Sequence, residues 1–356
     1  MTIAYLNRVA TAVPAHDVHD AFVRHGMSVL DARQANVFTR LVDKAQIAHR
    51  YSVLSPEQFP ESRARPGGFY AGGAFPSTAE RMRVYQEQAP LLAERAVQRL
   101  GLEQARQATH LVVTSCTGFY APGVDMDIVQ RCGLDPSVER TLIGFMGCSA
   151  AMNGLRLAHH IVRSEPGARV LLVSLELCSL HMQESRSLEQ LLSFLLFADG
   201  CAAALVSAEP SGLAIDGFRS VLVPDTQGLI TWNIGDSGFD MFLSGKVPAA
   251  VEHGLAGCQA QFLGGASPES IDLWAVHPGG RSILDAVEKA LGLPRTALLR
   301  SRDVLRELGN MSSATVLFVL ERTLAAAQPG QRGCAMAFGP GLVAETMRFH
   351  TPASAA

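Results

Sequence analysis

Short apolar runs that alternate with helical patterns constrain the fold of this chain more than any other feature. The runs that read as strands lie over residues 3–14, 109–115, 141–144, 169–175, 201–206, 271–276 and 333–342. Apolar residues recur at helical spacing over residues 17–50, 78–100, 124–132, 148–164, 181–197, 247–262, 281–291 and 312–327. Continuous apolar strands separated by helices are typical of a sheet that helices cover on both faces. The sequence therefore predicts a layered α/β fold.

Loop signals divide this pattern into two parts. Residues 54–77 are rich in Pro, Gly, Ser and Arg and are predicted to form a surface loop. The strand and helix pattern restarts after Glu209-Pro-Ser-Gly212, with a loop-rich segment over residues 216–247. We therefore place the boundary between two halves at this point, with one half over residues 1–210 and the other over residues 211–356.

Composition excludes several classes of protein. The chain has 356 residues, of which 48% are hydrophobic, so it is long enough for a large core or two fused halves. Its net charge is -3 and its sequence contains no polybasic stretch, which argues against a nucleic-acid partner. The seven cysteines form no CxxC pair, which argues against a structural zinc site and favours a reducing compartment.

The same reading sets expectations about location. No apolar run reaches the about 18–20 residues that a membrane-spanning helix needs. The first residues show no charged leader followed by an apolar core, as a signal peptide would. We therefore expect a cytoplasmic protein without a membrane span.

Cys148 is the first candidate functional residue. It follows Gly147 and precedes a run of small residues that leads into a helical pattern. A helix that begins near Cys148 would place backbone N–H groups and the positive end of the helix dipole beside the sulfur. Such surroundings lower the pKa of a thiol, so the sequence predicts an activated cysteine.

Two later motifs carry polar side chains that suit such a sulfur. His277 stands at the end of a predicted strand, before Pro-Gly-Gly, and Asn310 stands in Gly-Asn-Met-Ser-Ser. Histidine can hold a thiolate or donate to an oxyanion, and a carboxamide donates without giving up a proton. Taken singly, the three residues also fit a buried free cysteine, a capping histidine and an N-cap asparagine. Together they predict a Cys-His-Asn site for acyl transfer.

Cysteine, histidine and asparagine occur in the same order in papain-like proteases. The protease signature around the cysteine is absent here, and Cys148 lies in the middle of the chain. Gly147-Cys148 and Gly309-Asn310 also resemble each other, since each pair precedes a small-residue helix start. That weak internal repeat fits two related halves that present helix starts to one site.

The motifs together resemble those of the type III polyketide synthases, the chalcone synthase superfamily of the thiolase fold. The resemblance rests on Gly-Cys148, His277-Pro-Gly-Gly, Gly-Asn310-Met-Ser-Ser, Phe338-Gly-Pro-Gly and Phe197-Ala-Asp-Gly. It covers nearly the whole chain and implies two thiolase-like halves in a five-layer αβαβα arrangement. Ketoacyl synthase III enzymes share the three residue types but carry His-Gln-Ala-Asn, so they rank second.

The resemblance implies a homodimeric acyltransferase that takes acyl groups directly from coenzyme A and needs no cofactor. Cys148 would carry the starter and the growing chain as a thioester. His277 and Asn310 would assist decarboxylation of malonyl-CoA and stabilise the enolate. Phe197 would be the gatekeeper between the coenzyme A tunnel and the cavity, with an ordinary core aromatic as the alternative.

The same resemblance assigns residues to substrate binding. Arg40 and Lys44 fall where the family places cations against the coenzyme A phosphates, while Val37 replaces a third cation. Further residues fall at cavity positions, and they are Met241, Cys116, Ala121, Ser179, Trp232 and Ser312. Met241 falls where the family usually has a second gatekeeping Phe, and Trp232 falls where plant enzymes of the family have a small Gly. Cys116 is either a second reactive thiol or a packed cysteine.

These departures predict a narrowed pocket. Ala121 replaces a larger residue in the loop that the resemblance places against the partner's cavity, which predicts an alternative apolar channel elsewhere. Such a pocket fits bacterial enzymes that extend fatty acyl starters to alkylresorcinols or alkylpyrones. The alternatives are another condensing enzyme of the thiolase fold and a synthase that makes a malonyl-only aromatic such as tetrahydroxynaphthalene. A non-catalytic binding protein is disfavoured because all three catalytic residue types remain. No metal site stands out, since His159 and His160 are adjacent on a helix and point to different sides.

Overall fold

A computed structural model describes residues 2–59, 68–70 and 75–353. The strands are β1 Tyr5–Ala12, β2 His16–Asp17, β3 Tyr51–Ser52, β4 His110–Ser115, β5 Glu139–Gly144, β6 Arg169–Leu177, β7 Asp199–Ser207, β8 Leu213–Leu222, β9 Ile230–Gly235, β10 Gly238–Leu243, β11 Leu273–Val276, β12 Arg332–Gly339 and β13 Val343–His350. The α-helices are α1 His19–Val29, α2 Ala32–Ala45, α3 Thr78–Leu100, α4 Leu102–Ala105, α5 Val124–Cys132, α6 Ala150–Ser164, α7 Leu188–Leu196, α8 Val247–Phe262, α9 Arg281–Leu291, α10 Leu299–Leu308 and α11 Thr315–Ala326.

Nine strands form one mixed sheet, in the order β11-β12-β13-β8-β1-β7-β6-β4-β5. Parallel pairs lie near the two ends of this sheet, where β4 pairs with β5 and β6, and β11 pairs with β12. The pairs between them are antiparallel. The two parts of the sheet meet where β1 pairs with β8 over only two residues, Tyr5 with Ala214 and Leu6 with Leu213.

Three apolar clusters separate the layers. The first lies between the β4–β7 part of the sheet and the outer helices α3 and α5. The second surrounds α6 and α11, which pack against strands from both parts of the sheet. The third lies between the β11–β13 part and the outer helices α8 and α9. This arrangement of helix, strand, helix, strand and helix layers confirms the predicted thiolase-like α/β fold.

Several helices follow their predicted bounds because their periodic patterns have clear ends. Helix α3 begins after Ser77, whose side chain accepts a hydrogen bond from the backbone N–H of Glu80, and it stops before Gly101. Helices α5, α8 and α9 also match the predicted bounds. Half of the predicted loop over residues 54–77 lies outside the described part, which covers 54–59, 68–70 and 75–77 of it.

The prediction of a loop-rich segment over residues 216–247 was wrong in part. It contains most of β8 and an antiparallel hairpin of β9 and β10, in which Trp232 pairs with Met241. Gly, Asp and Asn residues in this segment resemble loop signals, but the turn between the strands uses only Asp236 and Ser237. Strand β13 and helix α10 were also not predicted.

No helix within the described ranges is long and apolar enough to cross a membrane.

Candidate active site

Cys148 lies on a short 3₁₀ turn, Gly147–Ser149, between β5 and α6. Gly147 has φ +59°, and a Cβ atom there would stand 2.3 Å from Cδ of Pro340. Only glycine therefore fits before the cysteine, because the nucleophile turn packs directly on the turn that follows β12. Helix α6 begins two residues after Cys148, at Ala150.

The segment that carries Asn310 is paired with the segment that carries Phe197. The backbone N–H of Asn310 donates to the carbonyl of Leu196, and the N–H of Ala198 donates to the carbonyl of Asn310, both at 2.8 Å. The Asn310 carboxamide is fixed at both ends. Its oxygen accepts from the N–H of Ser312 at 2.9 Å, and its nitrogen donates to the carbonyl of Gly279 at 3.3 Å.

These contacts bring Asn310 and the thiol together. The Cys148 Sγ atom lies 3.7 Å from Oγ of Ser312, the residue whose backbone N–H donates to the Asn310 carboxamide oxygen. Ser312 therefore links the Asn310 carboxamide to the turn that carries the sulfur.

His277 follows the last residue of β11 and is 1% exposed. Both ring nitrogens are buried and have no hydrogen-bond partner among the described residues. Burial lowers the pKa of this imidazole to about 3, so the ring is neutral in the substrate-free chain. A buried polar ring without partners is costly unless a ligand supplies them, which is what a binding site requires.

The thiol is also neutral in this state. Burial raises the pKa of Cys148 to about 11, while hydrogen bonds from Ser312 and Asn310 oppose that rise. The sequence analysis expected a lowered thiol pKa from the start of a helix. The enclosed surroundings outweigh that effect here, because the helix proper begins only at Ala150.

A single cavity of about 820 Å³ reaches all three residues, and its exposed lining is mainly apolar. Of the residues predicted for the site, it is lined by Cys148, His277, Asn310, Phe197, Met241, Cys116, Trp232, Ser312 and Lys44. Apolar side chains of α7, such as Leu188 and Leu192, form part of its wall. It reaches the surface beside α2, where Lys44 is exposed.

Three predicted site residues do not line this cavity. Ser179 is turned toward the buried carboxylate of Asp199, to which its hydroxyl donates at 2.6 Å. Ala121 is exposed in the loop before α5. Arg40 is exposed one helical turn before Lys44, on the same face of α2.

Cys116 is packed against the nucleophile turn. Its sulfur accepts a hydrogen bond from the N–H of Gly147 at 3.1 Å, and its carbonyl accepts one from Nε1 of Trp232 at 2.8 Å. Burial raises the pKa of this thiol well above its ordinary value. These contacts favour the packed cysteine over the second reactive thiol.

Sequence reasoning missed two groups beside the cavity. His181 lines the cavity, and its ring stacks on Phe239 with centroids 4.2 Å apart. Its Nε2 hydrogen bonds to the carbonyl of Thr117, and its Nδ1 accepts a hydrogen bond from the N–H of Phe239. These bonds fix β10 against the loop that follows β4. Glu176 ends the apolar strand β6 fully buried, where burial raises its pKa to about 7. A carboxylate in an apolar strand was the available signal for Glu176, whereas nothing in the sequence marked His181.

Within the described residues, no group of three or more His, Cys, Asp or Glu side chains is arranged to hold a metal ion.

Two family models cover almost the whole chain. Residues 4–210 match the N-terminal domain of chalcone and stilbene synthases, and residues 217–352 match the C-terminal domain of the same synthases. A curated relative is the alpha-pyrone synthesis polyketide synthase-like Pks18 of Mycobacterium tuberculosis. It is 34% identical over 367 residues, which cover 98% of this chain and 91% of Pks18.

Solved structures show the same fold. PKS-I of the brown alga Ectocarpus siliculosus is 30% identical with a TM-score of 0.87, over 99% of each chain. CsyB complexed with CoA-SH is 22% identical with a TM-score of 0.85, over 98% of this chain and 100% of CsyB. The latter likeness concerns the fold alone.

Proposed function

The chain belongs to the chalcone and stilbene synthase family and is a type III polyketide synthase, and from this premise we propose that Cys148, His277 and Asn310 carry its condensation chemistry. The observation that supports these roles is that the three side chains line one largely apolar cavity. The chemistry of the family is acyl transfer from coenzyme A, followed by condensation with malonyl-CoA. The assignment of each step to a residue is our proposal.

In the loading step the sulfur of Cys148 attacks the carbonyl carbon of an acyl-CoA. A C–S bond forms to Cys148 and the bond to the coenzyme A sulfur breaks. The coenzyme A sulfur takes up the proton that Cys148 released, so coenzyme A leaves as its thiol. The thiol proton must first leave Cys148, and we assign its acceptance to the imidazole of His277, which lines the same cavity and whose ring nitrogens have no hydrogen-bond partner among the described residues. A neutral histidine suits this role because it has a free acceptor nitrogen.

In the extension step malonyl-CoA loses CO₂, and the electron pair of the broken bond forms an enolate. The carboxamide of Asn310 and the N–H of the neutral His277 ring donate to the enolate oxygen, which lowers the energy of that charge in a dry cavity. The enolate carbon then attacks the acyl group on Cys148. A C–C bond forms, and the cysteine sulfur leaves as a thiolate that is ready for the next transfer.

The starter is proposed to be a fatty acyl group, with an alkylpyrone or alkylresorcinol as the product. The apolar lining of α7 and the ring of Trp232 favour a flexible alkyl chain over a broad aromatic group. Lys44 at the mouth, with Arg40 one turn away, is placed to meet coenzyme A phosphates. Pks18, whose name refers to alpha-pyrone synthesis, is consistent with this class of product.

The proposed active unit is a homodimer in which each chain has two halves, residues 1–210 and 211–356, and no cofactor is proposed. Edge strand β5 supports self-association, because Leu142 on it and Met146 just after it are 43% and 41% exposed. Sedimentation of the purified chain tests the dimer, and a monomer at micromolar concentration would contradict it.

A panel of acyl-CoA starters tests the substrate class. Purified protein is incubated with malonyl-CoA and each of acetyl-, hexanoyl-, palmitoyl- and 4-coumaroyl-CoA, and the products are identified by mass spectrometry. Palmitoyl-CoA is expected to give triketide or tetraketide products, and 4-coumaroyl-CoA little or none. The opposite preference would reject the fatty acyl starter. A product made of malonyl units alone would instead favour the malonyl-only synthase.

A further inference from the structure

Arg50 is a buried cation that lies behind the gate of the cavity, and none of the roles described so far uses it. It is 3% exposed and is the last residue of the loop that connects α2 to β3. Its Nη1 donates to the carbonyls of Phe194 and Phe197, each at 2.8 Å, and its Nε donates to Nδ1 of His19 at 3.2 Å. Its guanidinium carbon lies 4.7 Å from the ring centroid of Phe22.

The acceptors of this guanidinium are carbonyls at the end of α7. The last carbonyls of a helix have no partner within the helix, and the helix dipole is negative at that end. A cation that donates to them therefore forms strong, charge-assisted hydrogen bonds. Because α7 ends at Leu196, Arg50 fixes both the helix end and the backbone of Phe197, whose ring lines the cavity.

The same side chain also packs against the segment of Asn310. Gly309 has φ +74°, and a Cβ atom there would lie 2.9 Å from Cγ of Arg50 and 3.1 Å from the carbonyl oxygen of Leu196. Glycine thus lets the two segments approach the arginine stem. Two backbone hydrogen bonds, from Asn310 to Leu196 and from Ala198 to Asn310, join the two segments, and the Arg50 side chain packs beside them.

We propose that Arg50 is a positioning residue that fixes the gatekeeper Phe197 and the carboxamide of Asn310 in position relative to each other. This inference rests on the proposed function of Phe197 and Asn310. Arg50 does not line the cavity and touches neither substrate nor sulfur, so it acts through the carbonyls it binds. A lysine keeps the charge but lacks the planar group that serves two carbonyls and a histidine together.

Arg50→Lys and Arg50→Met test this role, with Arg156→Met as the matched control. Arg156 also lies over an aromatic ring, that of Phe218, and bonds to the buried Glu345, but it does not line the cavity. Arg50→Met is expected to lower kcat for condensation about 10²-fold, as small displacements of reacting groups do, with KM for acyl-CoA unchanged. More malonyl-CoA should be decarboxylated per product formed. Arg50→Lys should fall between wild type and Arg50→Met.

Hydrogen exchange gives a second readout that does not depend on turnover. The N–H groups of Asn310 and Ala198 should exchange faster in both Arg50 variants, while those in the middle of α3 should not change. Arg156→Met should leave both the exchange at Asn310 and kcat unchanged, whatever its melting temperature.

Three outcomes would overturn the role of Arg50. One is a folded Arg50→Met with wild-type kcat and wild-type coupling of decarboxylation to product. Another is unchanged exchange at Asn310 and Ala198. The third is failure of both Arg50 variants to fold, which would assign the residue to stability alone. A wild-type chain that makes no malonyl-derived product would reject the proposed function instead. The exchange data would still test whether Arg50 stabilises the backbone hydrogen bonds of Asn310 and Ala198.

Discussion

At the scale of single residues, the site depends on groups that are buried and neutral until substrate arrives. Cys148 and His277 are shifted by burial in opposite directions, the thiol to a pKa of about 11 and the imidazole to a pKa of about 3. A thiol and a neutral imidazole can exchange one proton without changing the net charge of the cavity. We therefore expect the cysteine to become nucleophilic only when its proton is accepted, which is the role proposed for His277.

Alkylation tests the roles proposed for Cys148 as nucleophile and His277 as proton acceptor. Iodoacetamide is expected to modify Cys148 before Cys116, because Cys116 is 2% exposed and hydrogen bonded to the nucleophile turn. His277→Ala should slow the reaction at Cys148 by removing the proton acceptor. The half-buried Cys258 on α8 is an internal control whose rate should not change. Peptide mass spectrometry that finds Cys116 modified first would contradict the assignment.

The carboxamide of Asn310 has a separate prediction. Asn310→Ala should lower the rate of malonyl-CoA decarboxylation about 10²–10³-fold, because one donor to the enolate oxygen is lost. Acylation of Cys148 by the starter should be affected less. Asn233→Ala, at an exposed asparagine of β9, is the control and should behave like wild type. Equal loss in both half-reactions would show that Asn310 acts on the fold and not on the enolate.

Glu176 predicts a pH dependence of stability. Its pKa is raised from 4.5 to about 7 by burial. Between these values the folded chain keeps a proton that the unfolded chain has released, so raising the pH lowers the free energy of unfolding. The largest slope is about 1.4 kcal/mol per pH unit.

Glu176→Gln removes this titration. The melting temperature of Glu176→Gln relative to wild type should therefore rise between pH 5 and pH 8. Glu103→Gln, at an exposed position on α4, should show no such trend. A difference between Glu176→Gln and wild type that is constant across this pH range would contradict the buried, protonated carboxyl.

At the scale of elements, the β9–β10 hairpin forms the wall that sets the width of the cavity. Trp232 and Met241 are paired across it and both line the cavity. The hairpin is held by the Trp232 bond to the Cys116 carbonyl and by the ring contacts of Phe239 with His181 and Trp232. An element that sequence patterns had indicated as loop therefore forms this wall of the cavity.

Trp232→Gly should widen the cavity and shift the starter preference toward 4-coumaroyl-CoA. It should also destabilise the fold, by less than the about 3–5 kcal/mol lost with a fully buried aromatic ring. Phe242→Ala is the control, since Phe242 neighbours Met241 on β10 and is 46% exposed. Kinetics with both starters measure the shift. An unchanged preference in a folded Trp232→Gly would show that the hairpin does not control width.

Sequence alone predicted the elements whose signal is local. Helix α3 has a capping serine and a terminal glycine, and the motifs of Cys148, His277 and Asn310 are contiguous. The missed features depend on contacts between distant segments. Arg50 binds carbonyls about 145 residues later, and His181 bonds to a strand almost 60 residues later, so no local pattern marks either one.

At the scale of the whole molecule, the two proposed halves are not separate bodies. Strand β8 pairs with β1 on one side and β13 on the other, and the central helices α6 and α11 pack against strands of both halves. His277 and Asn310 come from one half and Cys148 from the other, so the cavity exists only when the halves are joined. Sharing of the central layer thus links folding to assembly of the site.

A divided chain tests this dependence. Residues 1–210 expressed alone should lack a cooperative thermal transition, because one face of α6 and the edge of β1 lose their cover. Co-expression with residues 211–356 should restore the transition and the cavity. Circular dichroism during heating measures both. A cooperative transition in residues 1–210 alone would contradict the shared core.

The most direct test of the account is the mass of the protein after brief exposure to palmitoyl-CoA. Wild type should gain one palmitoyl group on the peptide that contains Cys148, and addition of malonyl-CoA should remove it as an extended product. In Asn310→Ala the adduct should form but persist, because the enolate is not stabilised. An adduct on another cysteine, or a Cys148 adduct that malonyl-CoA leaves unchanged in wild type, would contradict the proposed site.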